Sequence, residues 1–281
     1  MKARHFSLLA TLCAMALTQA CSDDGSGAAG SALAPEITTQ TVSNATPEAR
    51  AQALATLLKI TRISGVVDPK VPTFANSLGS PDNLSEAGFH AQGRRQINWD
   101  GVPASFSDNN NFPEDFFNVN SPRGAIYDAE NGTGLRVSSN HFADLAPTNA
   151  TDLIPFSEPK LFAPVGTKTF ELKFRIPGSN TRAVVKGFGA IVVDVDKAQL
   201  SRLKAFDKDD HLIANIAVPV RKNPDEYSLV GVTFTQPVIA KVQLILGDTP
   251  PKKGVKDISS GGTKDVVALD DFLYSEPQRI Q

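Results

Sequence analysis

The chain has 281 residues, 41% of them hydrophobic, with 28 basic and 30 acidic side chains and a net charge of −2. Such a balance lacks the cationic excess with which proteins neutralise phosphate backbones, and it excludes nucleic-acid binding by charge. The two cysteines, Cys13 and Cys21, both lie near the start, which leaves the rest of the chain no thiol for disulfides, thiol catalysis or thiolate zinc sites.

Lys2, Arg4 and His5 open the chain, and residues 6–17 follow as an uncharged apolar stretch. That stretch is shorter than the roughly 20 residues needed to span a bilayer, so residues 1–20 are expected to be a cleaved export signal. Leu17-Thr18-Gln19-Ala20-Cys21 resembles the lipobox of bacterial lipoproteins, with Thr18 where leucine is commonest. The resemblance implies that Cys21 becomes the acylated first residue and that the lipid bilayer is a partner. Several acyl chains anchor stably where one would be marginal. Ser22, rather than Asp, follows the cysteine, which implies sorting to an outer membrane or cell surface. Loss of Lys2 and Arg4 with the signal leaves 26 basic against 30 acidic residues, a balance of −4.

Residues 21–45 are expected to be a flexible tether, because Gly, Ser, Ala and Thr offer too little apolar surface to offset ordering. Thr46-Pro47-Glu48 supplies an N-cap, a first-turn proline and an early acid, and Leu54, Leu57 and Leu58 follow at helical spacing. This predicts a helix over residues 47–61 within a connecting segment of residues 46–90. It would pack on the main domain, stand as a stalk or dock a protein partner.

From residue 91 to 278 the texture changes to short β-rich runs broken by Pro, Gly and Asn. Phe170, Leu172, Phe174 and Ile176 alternate with polar residues and predict a strand over residues 169–176 with one wet face. Further strands are predicted over 187–195, 200–206, 212–218, 229–234, 238–246 and 266–274, with turns at 177–178, 207–210, 223–224 and 250–251. Strands at intervals of roughly ten residues without a βαβ rhythm favour an all-β, antiparallel sandwich of jelly-roll type, with one N-terminal helix. No helix of ordinary length is predicted within this region.

Four segments carry a further likeness: residues 116–124, 157–162, 187–196 and 270–274. The pairing of Gly187-Phe-Gly-Ala, ending in Asp194-x-Asp196, with Asp270-Asp271-Phe272 is its strongest element. Together they resemble the galactose-binding-like jelly-roll modules of exported and PEP-CTERM surface proteins of unknown function. The chain departs from the PEP-CTERM pattern in its last residues, which carry no sorting helix or arginine cluster. The likeness implies fold more than activity. It also implies a structural Ca2+ held by Asp270 or Asp271 near the last strand.

The residues themselves leave several readings open. Asp194 and Asp196, two apart on a strand, would share one face with about 6–7 Å between Cα atoms; that is a candidate glycosidase pair, or simply a strand end turned to Lys197, an ion or water. Residues 207–210 resemble half a calcium loop without its glycine and distal glutamate, and read better as a hairpin turn. Asp270 and Asp271 interrupt an apolar run where an unpaired carboxylate is costly, so they need a calcium ion, an arginine or backbone amides. Trp99, Asn118, Asn120, Arg123 and Tyr127 are the candidate ligand-binding set, because a stacking ring beside amide and guanidinium donors suits a sugar; the alternative is a core tryptophan and a structural arginine. His90, His141 and His211 fall in no metal-ligand spacing, and no nucleophile elbow, phosphate loop or dinucleotide fingerprint is present. The expectation is a lipid-anchored, non-enzymatic module with a glycan as its ligand; the alternatives are a glycan-processing hydrolase on the same scaffold and a structural envelope protein that binds a protein partner.

Overall fold

The computed structural model describes residues 58–280. The signal, Cys21, the tether and most of the expected helix lie outside the described residues.

Fourteen strands and three short helices follow in order. The strands are β1 (Lys59–Gly65), β2 (Arg94–Ile97), β3 (Ala125–Asp128), β4 (Gly134–Ser138), β5 (Leu161–Val165), β6 (Thr169–Phe174) and β7 (Ala183–Val184). They continue as β8 (Gly187–Val193), β9 (Arg202–Phe206), β10 (Leu212–Ala217), β11 (Tyr227–Thr233), β12 (Lys241–Ile245), β13 (Ala268–Ser275) and β14 (Gln278–Arg279). The helices are α1 (Val71–Leu78), α2 (Phe116–Val119) and α3 (Asn149–Asp152). One sheet runs β1-β11-β8-β13-β5-β4, with β2 also paired to β13; the other runs β10-β9-β12-β6-β3; β7 and β14 form a small third pair. All strand pairings are antiparallel. The molecule is a β-sandwich.

The sheets meet over one core in which Phe170, Leu172 and Phe174 of β6 face Phe188, Ala190 and Val192 of β8 and Phe272 and Tyr274 of β13. The alternation predicted for β6 is observed, with Thr169 and Lys173 only half-buried on its other face. The first sheet behaves differently. Every residue of β8 and β13 is buried, because its outer face is covered twice. Val71, Phe74, Ala75 and Leu78 of α1 cover Ile191, Leu229 and Leu273. Phe142 and Leu153 cover Val193, Leu161 and Ala268. Burial on both faces explains why β8 reads as a continuous apolar run rather than an alternating one.

Two expectations about the start of the domain are corrected. Residues 59–61, expected to end a helix, open β1, which pairs with β11 from Lys59↔Thr233 to Gly65↔Tyr227. Within the expected connecting segment, β1 completes a sheet edge and α1 seals a sheet face. The two glycines Gly189 and Gly231 are cross-strand partners. A Cβ at either would fall inside van der Waals contact of the Phe74 ring, so the pair forms a notch that the ring fills.

Candidate functional site

The segment after β2 carries Trp99, and the backbone decides where its ring goes. Trp99 has φ +63°, the left-handed region that a bulky residue seldom adopts. This turn throws the indole inward while Asn98 stays exposed. The ring is 1% exposed, stacks on Phe162 with centroids 4.2 Å apart, and donates Nε1–H to the Asp270 carbonyl at 2.8 Å. Phe112, Phe117 and Phe272 meet it edge-on. Trp99 is a core ring, not an open stacking platform for a ligand. Tyr127 is corrected likewise: it is fully buried on β3, its hydroxyl has no hydrogen-bond partner among the described residues, and burial holds its pKa well above the ordinary tyrosine value. Asn118 is also buried, donating to the Ser179 carbonyl at 3.0 Å and accepting from the Gly178 amide at 3.2 Å, so it ties a turn together.

The other two members of the predicted set do meet at a surface. A cleft of about 320 Å³ is lined by Asn98, Trp99, Pro103, Phe106, Asn120 and Arg123 among others, with the indole contributing only to its floor. Asn120 is exposed just past α2. Arg123 is half-buried, with its guanidinium 5.6 Å from the Phe117 ring centroid, Nε donating to the Gln96 carbonyl at 2.9 Å and Nη1 to Ser121 Oγ. Phe106, half-exposed and edge-on to Phe116 at 5.3 Å, is the ring available at this cleft. It was not singled out from the sequence. Its signal was there: a phenylalanine set among Ser105, Ser107, Asp108 and Asn109 has no apolar neighbours to bury it.

Asp270 and Asp271 stand behind this cleft. The Asp270 carboxylate accepts the Phe156 amide at 2.6 Å, the Ser157 amide at 3.2 Å and Ser157 Oγ at 2.9 Å. Asp271 accepts Ser157 Oγ and Gln96 Nε2, both at 2.9 Å. Burial holds both carboxyls above their ordinary range, Asp270 most strongly, with the adjacent Asp271 charge adding to the effect. Backbone amides, a hydroxyl and an amide side chain therefore engage these two acids, and no arginine does so among the described residues.

The Asp194–Asp196 pair is not laid out as expected. β8 ends at Val193, and Asp194 turns left-handed at φ +67°, which breaks the strand alternation. Asp196 is gripped by Arg221, Nε–Oδ1 2.7 Å and Nη2–Oδ2 3.2 Å, and Arg221 Nη2 also touches Asp194 Oδ1. Burial pushes the Asp194 carboxyl up to about 9, against the pull of Arg221. A buried acid and an ion-paired one present no acid and nucleophile to a sugar. Residues 207–210 form the turn between β9 and β10, with Asp207 Oδ1 accepting the amides of Asp209 and His211 at 2.9 and 3.0 Å.

No protein-family model matches the chain, and no curated protein matches it. Among solved structures it is similar to a glycoside hydrolase family 43 arabinoxylan arabinofuranohydrolase from Bacillus subtilis, determined with cellotetraose. The match covers 57% of this chain and 28% of that one, at 13% identity and a TM-score of 0.27. It is also similar to TmCBM61, determined with β-1,4-galactotriose, over 60% of this chain and 95% of that one, at 10% identity and a TM-score of 0.24. This chain thus spans little more than a quarter of the length of the first.

Proposed function

We propose that the chain is a lipid-anchored cell-envelope module that binds carbohydrate non-enzymatically in the cleft beside α2. The observation that carries this reading is the meeting of an accessible ring, Phe106, with Asn98, Asn120, Ser121 and Arg123 around one concavity. A ring covers the apolar face of a sugar while amide, hydroxyl and guanidinium groups fix its hydroxyls. The anchor rests on the lipobox ending at Cys21, which implies an outer-membrane or cell-surface position.

A glycan array probed with the full chain in detergent is the direct test. The expected result is retention on a small set of neutral oligosaccharides, with Phe106→Ala and Asn120→Ala each weakening binding about tenfold, or roughly 1.4 kcal/mol. Asn120 is exposed and can be lost without touching the core, whereas Phe106 also packs against Phe116, so the folding of Phe106→Ala is checked by its melting curve. Retention unaffected by either substitution, or no retention on any glycan, would overturn the reading. For the anchor, Cys21→Ser is expected either to release the protein from the membrane fraction or to leave the export signal uncleaved, and a variant processed and membrane-bound like the wild type would refute lipidation at this residue.

A further inference from the structure

Asp194 has a neighbourhood that the cleft does not explain. Its side chain is 0% exposed; Oδ1 meets Arg221 Nη2, and Oδ2 is buried with no partner. Asp257, also 0% exposed, comes from the loop before β13, where its Oδ1 accepts the amide and hydroxyl of Ser259 and its Oδ2 accepts the Val266 amide. Oxygens of Asp194, Asp196 and Asp257 lie within 4.8 Å of one another. Asp152, closing α3, is close enough to act on Asp194 electrostatically. It is 7% exposed; its Oδ1 accepts Ser260 Oγ at 2.6 Å, and its Oδ2 is buried without a partner.

The cations nearby do not balance this group. Arg221 is committed to Asp196 and touches Asp194. Lys197 turns away to Asp248 at 2.7 Å and to the Thr263 carbonyl at 3.0 Å. Asp265, a further buried acid, spends its oxygens on the amides of Asp196 and Lys197. One guanidinium thus serves Asp194, Asp196 and Asp257, while Asp194 Oδ2 and Asp152 Oδ2 have no donor. A proton on Asp194 Oδ2 supplies one O–H, and the buried Asp152 Oδ2 still has no donor of its own, which is costly for a buried polar group.

We propose that this cluster is a binding site for a calcium-class divalent cation, with Asp194 and Asp257 as ligands and Asp196 shared with Arg221. Calcium takes carboxylate oxygens at about 2.3–2.6 Å in a flexible shell, so oxygens on opposite sides of the ion stand close to the spread seen here; the smaller shell of magnesium demands a tighter, more regular set and keeps its waters. The site joins the end of β8 and the loop before β13, which are remote in sequence. It is separate from Asp270 and Asp271 and independent of any glycan in the cleft.

The test uses the full chain, stripped with chelator and titrated with calcium alone or magnesium alone. Equilibrium dialysis is expected to find one tightly held calcium per chain, and the melting temperature is expected to rise with the logarithm of calcium concentration above the dissociation constant. Magnesium is expected to act at least tenfold more weakly. Asp194→Asn and Asp257→Asn should each weaken calcium binding tenfold or more, while Asp271→Asn retains the wild-type response. Identical melting with calcium and with chelator, together with no ion retained on dialysis of the wild type, would overturn the proposal. So would a response lost in Asp271→Asn and kept in Asp194→Asn. The wild-type dialysis stands even where a variant fails to fold.

Discussion

Arg95→Met is expected to lower the unfolding free energy by about 3–5 kcal/mol, the range for breaking a buried ion pair from one side. Arg95 is fully buried on β2 and meets Glu276, just after β13, through Nε–Oε2 at 2.6 Å and Nη2–Oε1 at 2.8 Å. Its Nη1 serves the carbonyls of Asn83, Leu84 and Glu86 at 3.1, 3.0 and 2.8 Å, and Asn83 Nδ2 donates back to Glu276 at 2.8 Å. Methionine fills much of the volume but leaves the buried Glu276 charge with Asn83 Nδ2 as its remaining side-chain donor and removes the donor to the Asn83, Leu84, Glu86 and Pro122 carbonyls. Urea unfolding of Arg95→Met, Glu276→Met and the double variant is the measurement. The double variant should recover a large part of the loss, because two apolar side chains leave no lone charge; a loss under 1 kcal/mol in Arg95→Met would contradict the account.

The second large effect is expected at Phe74. Its ring lies in the notch made by Gly189 and Gly231, which have no side chains with which to close a gap. Phe74→Ala is therefore expected to cost about 3–5 kcal/mol, toward the upper end for core truncations, since the cost rises where a site cannot collapse. Gly231→Ala alone should also destabilise, by pushing the ring outward. Combined with Phe74→Ala it should be nearly neutral, because the added methyl enters the emptied space. Thermal or denaturant melting of the three variants gives the coupling directly. Additive losses in the double variant would show that the ring and the notch are not in contact.

The parts of this molecule that were legible in the sequence are those fixed by local period. The alternation of Phe170, Leu172 and Phe174 announced a strand with one apolar face, and the apolar run of β8 announced a strand, though its burial on both faces was not read from it. The start of the domain was misread for a physical reason. The cap at Thr46-Pro47 and the spacing of Leu54, Leu57 and Leu58 carried a helix forward into residues 59–61, although Ile60, Thr61 and Ile63 favour extended structure. Val71, Phe74, Ala75 and Leu78 stand at i, i+3, i+4 and i+7 with Pro72 in the first turn, a helix signal that could have been taken.

The site was less legible because side-chain direction, not residue type, decides it. The sequence left Trp99 open between a sugar-facing ring and a core ring, and the structure, with a left-handed turn at Trp99, places it in the core. Phe106 took the exposed place instead. The acidic cluster could not be read from spacing at all. Asp152, Asp194 and Asp257 are brought together by three separate segments, and the sequence shows only the Asp194–Asp196 member of that group.

The pairing of Arg95 with Glu276 joins positions 181 residues apart, and β2 lies against β13 through the same region. A chain leaving the ribosome or a translocation pore amino end first must carry that arginine, and the unpaired edge beside it, until β13 and Glu276 arrive. A central strand of the first sheet, β13, is its latest to be made, so closure of the sandwich waits on β13, and contacts this remote in sequence make folding slow. Until then the segment around β2 has its polar groups in water and its strand unmatched, which is the interval in which a chaperone holding extended chains has most to offer.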